Sequence, residues 1–260
     1  MARGGRRRSE PAGAGCGGSH AAIVSAVFAA GAVCPHPPAL VPELAAGAAG
    51  ELDSLRAACL SAVGRLLDLD PARVVLVGDA PQQTIFGLGA VADFAPYGVE
   101  LHLTLGQAGR QDGPRLPLSL SIGAWLLREA GFAADVTAIG VPATVSSAEA
   151  VALAAALVGA EEPVSILAMG DGSARRTPAA PGYIDARAAD FDGSVSKALA
   201  TGDTDAILAL DPALAAALLC AGRASWQVLA GAAAGSALHA ELLYDEFPYG
   251  IGYFVATWTR

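Results

Sequence analysis

Lysine is almost missing from this chain of 260 residues: Lys197 is the only one, and arginine supplies the rest of the 16 basic side chains. Acids outnumber bases by 25 to 16, which leaves a formal charge of −9. A chain so acidic lacks the basic face of a general nucleic-acid binder. Long, strongly apolar runs are also absent. Mean hydropathy is +0.46, but alanine inflates it, and no stretch reaches the roughly 18 to 20 strongly apolar residues of a membrane span. Neither nucleic acid nor membrane is an expected partner. Charged residues make up 16% of the chain against 53% hydrophobic ones, which excludes a mainly disordered protein. Cys16, Cys34, Cys59 and Cys220 are scattered and form no CxxC pair, so neither a zinc site nor a disulfide framework is indicated. A soluble protein of a reducing cytoplasm is the expectation, and composition leaves a homo-oligomer open.

The bases that exist are crowded at one end. Arg3, Arg6, Arg7 and Arg8 fall in the first ten residues beside a single acid, Glu10. Residues 1–21 read as a disordered basic tail, and residues 22–260 as one domain with no linker or internal repeat. The run AAIVSAVFAAGAV that follows imitates the apolar core of a secretory signal. Its Val, Ile and Phe content fits the buried first strand of a parallel sheet better.

Beyond it, β-rich runs alternate with helical ones. A helix is expected from Glu43 to Leu67, marked by Leu44, Leu52, Leu55, Leu60, Val63 and Leu67 on one face. Strands are expected at Arg73–Val77, Val99–Leu105, Val136–Val141 and Val164–Met169. Helices are expected at Leu118–Ala130, Ser147–Val158, Ala188–Ala200, Asp211–Leu219 and Ser225–Ala233. The chain closes with an antiparallel pair, Ala237–Tyr244 and Gly252–Thr257, around Phe247-Pro248-Tyr249-Gly250. This alternation predicts an α/β fold of three layers, α/β/α, with a mixed, mostly parallel central sheet.

Ligands of such sheets gather beyond the carboxyl ends of the strands. The first strand delivers Cys34 and His36 there; the second delivers Asp79, Gln82 and Gln83. A later one delivers Asp171, Ser173, Arg175 and Arg176, and the terminal pair adds His239, Glu241, Asp245 and Glu246. One histidine with several carboxylates makes a candidate metal site, while Asp after a strand-ending glycine is also a common turn or helix cap. The arginines, with Tyr183, make a candidate anion site, which on its own suggests an anion-binding hydrolase.

Pro35-His36-Pro37-Pro38 with Leu40-Val41-Pro42-Glu43-Leu44, directly after an apolar strand, resembles the start of LigB-like proteins. These are the catalytic-subunit superfamily of class III extradiol ring-cleavage dioxygenases, related to the Memo-like proteins. The segment MGDGSARRTPAAPGYIDARAADFD resembles that superfamily's Gly-Asp-Leu-Ser-His stretch, and LLYDEFPYGIGYFVATW is similar to the ending of its small, alanine-rich bacterial members. In order, these anchors run from about Ile23 to Trp258.

The resemblance implies a non-heme Fe(II) held by two histidines and one carboxylate, open positions for a small catecholic substrate and oxygen, and a further acid/base histidine. His36 matches the first ligand. The second would follow the second strand, where Asp79 or Gln82 stands in for histidine; Glu246 is the best match for the carboxylate, with Glu241 close by. The acid/base position is Ala174. His36, Asp79 and Glu246 are thus the expected metal set, and Asp171, Ser173, Arg175 and Tyr183 the expected substrate or anion contacts. His239 and Glu241, two apart on one strand face, could complete a rearranged set with His36. Two readings follow: a dioxygenase-like enzyme using Fe(II) or another divalent metal on a small aromatic, or a catalytically degenerate relative, with no metal, that binds or interacts.

Overall fold

The computed structural model describes Met1 and residues 28–71, 73–106, 113–132, 134, 136–159 and 162–260. The basic tail beyond Met1 and the first part of the expected first strand, residues 21–27, lie outside them. Nine strands are present among the described residues: β1 (Phe28–Cys34), β2 (Arg73–Asp79), β3 (Thr84–Phe86), β4 (Val91–Asp93), β5 (His102–Thr104), β6 (Val136–Val141), β7 (Val164–Met169), β8 (His239–Glu246) and β9 (Tyr253–Thr259). Seven of them form one sheet in the order β3-β6-β2-β7-β1-β9-β8, while β4 and β5 pair apart from it. The central strands β6, β2, β7 and β1 run parallel; β3 joins β6, and β9 joins β1 and β8, antiparallel. β7 (VSILAM) is buried along its whole length, as a strand covered on both faces must be.

Among the described residues eight α-helices accompany the sheet: α1 (Pro42–Ala45), α2 (Asp53–Leu67), α3 (Leu118–Glu129), α4 (Ser147–Val158), α5 (Ala188–Thr201), α6 (Thr204–Leu208), α7 (Pro212–Ala217) and α8 (Arg223–Ala233). One core lies under α2 and α3 and holds Cys34, Cys59, Leu76, Met169 and Tyr253. The other lies under α4, α5 and α8 and holds Val33, Ile166, Trp226, Phe254 and Trp258. Along β1, Ala32 and Cys34 face the first core and Val33 the second, the period-two alternation of a strand. The three-layer α/β/α arrangement with a mixed sheet is therefore present. No helix among the described residues is long and apolar enough to cross a membrane.

Three local expectations change. The helix expected from Glu43 to Leu67 is broken: α1 stops at Ala45, a tighter helical turn spans Ala46–Leu52, and α2 begins at Asp53. The stretch Ala45–Gly50 has only alanine and glycine, so it offers no apolar face to bury, and glycine is a poor helix former. Val99–Leu105 yields only the short strand β5, which pairs with β4. Between Asp79 and Val99, where the sequence predicts no strand, lie β3 and β4.

The carboxyl end of the sheet is pinned by a few polar groups. Arg223, 2% exposed, donates to the carbonyls of Val145 and Ala143 and to Gln227, tying α8 to the loop before α4. Asp192, also 2% exposed, accepts from the backbone N–H of Ser173 at 2.9 Å and from its hydroxyl at 2.6 Å. This fixes the loop leaving β7 onto α5.

Candidate active site

Three adjacent strand ends meet at His36. β1 leads into Pro35-His36-Pro37-Pro38, whose prolines cannot extend a ladder, and the chain turns at Pro38–Leu40. β7 runs between β1 and β2, so the residues that follow the three strands lie side by side at one end of the sheet. The backbone N–H of His36 donates to Asp171 Oδ1 at 2.8 Å. Its Nδ1 lies 3.7 Å from the same oxygen, and its Nε2 lies 3.4 Å from Asp79 Oδ1. The imidazole thus sits between two carboxylates from different loops.

The backbone of each aspartate is held from behind. Ser119, at the start of α3, donates its hydroxyl to the Asp79 carbonyl at 2.9 Å. That approach needs Gly78, where a Cβ would fall 2.6 Å from Ser119 Oγ. The Asp171 carbonyl accepts from Gly222 N–H at 2.9 Å and from Cys220 Sγ at 3.4 Å. Gly170 N–H donates to the Cys34 carbonyl at 2.9 Å, locking the two loops in register.

His36 is 8% exposed, whereas the Asp79 side chain is 42% exposed, so the cluster opens to solvent past Asp79. Two of its buried polar atoms, His36 Nδ1 and Asp79 Oδ1, have no hydrogen-bond partner among the described residues. Buried polar atoms are nearly always paired, and an unpaired one in a strand-end cleft marks a place for a ligand group or water. Burial pushes the Asp171 carboxyl up; the His36 charge and backbone N–H oppose that, and Asp79 adds to it.

Three tyrosines lie around the closing turn at the same end of the sheet. Tyr253, on β9 beside β1, is 2% exposed, and burial raises its phenol, with Asp171, Tyr249 and Tyr244 contributing in that order. Tyr249 donates to Glu51, and Tyr244 donates to Glu246 at 3.2 Å. A bulge between Leu242 and Tyr244 shifts the register of β8. It brings Tyr244 against the core containing Tyr253, with Glu246 paired to Tyr253 across the ladder. Burial, then Glu246, pushes the Tyr244 phenol up to about 12.

The expected site residues divide accordingly. His36, Asp79 and Asp171 are brought together, and Glu246 stands at the same end of the sheet, bonded to Tyr244. Ser173 is fully buried and turned onto Asp192. Arg176 bonds Asp192 at 3.4 Å and lies 4.7 Å over the Phe247 ring, so its charge is already used. Arg175 has a buried, unpartnered Nε and its charge reaches Asp185. Tyr183 is 90% exposed and makes no part of the His36 cluster.

His239 pairs with Thr259, while Glu246 pairs with Tyr253, so His239 is at the opposite end of β8, roughly 20 Å away. Glu241 bonds Arg65. The rearranged set of His36, His239 and Glu241 is therefore not assembled. Ala174 is tied by its backbone, donating to the Leu218 carbonyl and accepting from Gly182 N–H. His102 pairs with Asp93, a buried carboxylate that Arg115 and Ala95 N–H also satisfy. The tyrosines and Asp192 were not singled out from sequence. Their signal was present in the spacing of Tyr244, Tyr249 and Tyr253 around the closing turn, which strand pairing folds onto one spot.

No family model matches this chain, and no curated protein matches it. Among solved structures it is similar to an uncharacterized protein of Escherichia coli K12, JW3007, with a TM-score of 0.50 and 9% identity. The match covers 89% of this chain and 100% of that one. At that identity the likeness is one of fold.

Proposed function

We propose that this chain is a divergent LigB-like, extradiol-dioxygenase-like protein that binds a small phenolic ligand at the His36–Asp79–Asp171 cluster without iron-dependent ring cleavage. The carrying observation is the identity and distance of the group facing His36 Nε2: it is Asp79 Oδ1, at 3.4 Å, where the resemblance calls for a second imidazole.

The donor set does not fit the expected Fe(II) centre. That centre takes two imidazoles and one carboxylate, and here one imidazole faces two carboxylates, with Glu246 engaged by Tyr244. Oxygen-rich sets suit hard divalent ions instead. Among the described residues no group of three or more His, Cys, Asp or Glu side chains is arranged to hold a metal ion. Ala174 brings no acid/base group to the position of the family's proton shuttle, a step that contributes about 100-fold to 10,000-fold.

What the cluster does offer is a buried ring nitrogen and a carboxylate oxygen, both free to bond a ligand. A phenol donates to a carboxylate and accepts from an imidazole. Calorimetric titration with catechol tests this reading. Binding to the native protein and its loss in His36→Ala are expected; equal affinity in the two proteins refutes the site.

A further inference from the structure

We propose that the small sheet of β4 and β5 carries a second binding site, which takes a small oxyanion, a phosphate or carboxylate group, between Arg115 and His102. It is independent of the His36 cluster. β4 and β5 pair apart from the main sheet, with Asp93 opposite His102. Along the other edge of β4, Val91 bridges to Arg115 in parallel. Two backbone bonds secure that edge: Val91 N–H donates to the Pro114 carbonyl at 2.9 Å, and Leu116 N–H to the Val91 carbonyl at 2.8 Å.

Residues opposite one another on paired strands share a face, and so do residues two apart on one strand. Arg115, Val91, Asp93 and His102 therefore lie on one face, while Ala92 and Leu103 turn to the core under α2 and α3. The polar face is hollow. The same four residues, with Gly113, line a cleft of about 250 Å³. Pockets for drug-sized ligands begin at about 300 Å³, so this one suits an oxyanion with a short substituent.

Asp93 organises the cleft. Its side chain is only 4% exposed. Oδ1 accepts from Ala95 N–H at 2.9 Å and lies 3.1 Å from His102 Nδ1, and Oδ2 lies 2.9 Å from an Arg115 Nη. One buried carboxylate thus holds an imidazole and a guanidinium in place, as a supporting group behind a binding pair does. Both of its oxygens are occupied, so a ligand meets the ring and the guanidinium instead. The guanidinium is a planar fork with a second edge to present to an oxyanion.

The far nitrogen of the ring supplies the independent observation. His102 Nε2 lies 3.4 Å from Glu100 Oε2, on a side chain that is 89% exposed. So exposed a contact adds little stability, yet it rests an oxyanion against the nitrogen that a ligand would use. The ligand displaces Glu100 and gains Arg115. With a charge of −9 the chain repels anions in general, so affinity comes from this clamp and not from a basic surface.

The test is a titration of the full chain with inorganic phosphate and with acetate, following the histidine ring signals by NMR, against sodium chloride at matched ionic strength. Of the 4 histidines, His102 is expected to shift saturably with at least one of the two anions, while His36 and His239 stay still; the tighter anion identifies the group. Arg115→Met, at an exposed position, should weaken binding about tenfold, the worth of a charge-assisted bond. Glu100→Gln should tighten it severalfold by removing the competitor. Arg128→Met, at another exposed arginine, should leave it unchanged, and circular dichroism should be the same for all. A His102 response no different from that to chloride overturns the inference. So does Arg115→Met binding as tightly as the native chain, or Glu100→Gln binding no tighter.

Discussion

His36 Nε2 stands 3.4 Å from Asp79 Oδ1, and that oxygen has no hydrogen-bond donor among the described residues. The two residues come from β1 and β2, strands that are not neighbours; β7 and its Asp171 lie between them. The pairing exists because three parallel strands end at one level, held there by the bond from Gly170 N–H to the Cys34 carbonyl.

Asp171 carries an electrostatic cost at neutral pH. Its carboxyl is raised by burial in the folded protein, so the native state holds the proton more tightly than the unfolded chain. The stability it contributes is complete below the unfolded value and is lost as pH rises through the folded one. Asp171→Asn keeps an oxygen to accept from His36 N–H and removes the charge. Thermal unfolding should show a higher Tm than wild type at pH 7 and no gain near pH 3; a lower Tm at pH 7 contradicts this.

Asp192 holds the site loop from the other core. Asp192→Ala strands the Ser173 N–H and hydroxyl and frees Arg176. A loss of about 2–4 kcal/mol is expected in urea unfolding, with Asp192→Asn recovering most of it. Equal stability of the alanine variant and wild type would remove Asp192 from this role.

Gly170 is needed for backbone contact. A Cβ there would fall 2.2 Å from Gly222 Cα, where no side chain can move aside. Gly170→Ala should cost at least about 2 kcal/mol. At Gly64, within α2, a Cβ meets nothing within 4 Å, so Gly64→Ala should stabilise by up to about 1 kcal/mol. Opposite signs in denaturant melts check the pair.

Tyr249 adopts φ 60° and ψ 13°, in the left-handed region, which costs a non-glycine residue about 1 kcal/mol. Tyr249→Gly relieves that strain and loses the bond to Glu51. Stability in denaturant melts is expected to hold or rise, because the relieved strain matches or exceeds the net worth of an exposed side-chain bond. A variant clearly less stable than the wild type would contradict this.

The layered fold was legible because β2, β6 and β7 are continuous apolar runs and α3 to α5 keep helical periodicity. The break before α2 was not, since leucines at helical spacing carry across Ala45–Gly50 without showing that nothing between them is buried. At the site, His36, Asp79 and Asp171 could be read from their places after strand-ending residues. The engagement of Ser173 and Arg176 by Asp192 could not, because it depends on α5 packing back against the loop after β7. The bulge in β8, which sets Tyr244 and Glu246 on the site face, leaves no mark in an alternation of this length.

The central claim is that one imidazole between two carboxylates has replaced the iron chemistry of the proteins this chain resembles. Anaerobic titration with Fe(II), followed by oxygen uptake on a catechol, tests it most directly, with His36→Ala alongside. The account predicts catechol binding that depends on His36, no tight equivalent of Fe(II), and oxygen consumption no faster than in the variant. One tightly held Fe(II), lost in His36→Ala, with His36-dependent oxygen uptake would contradict it.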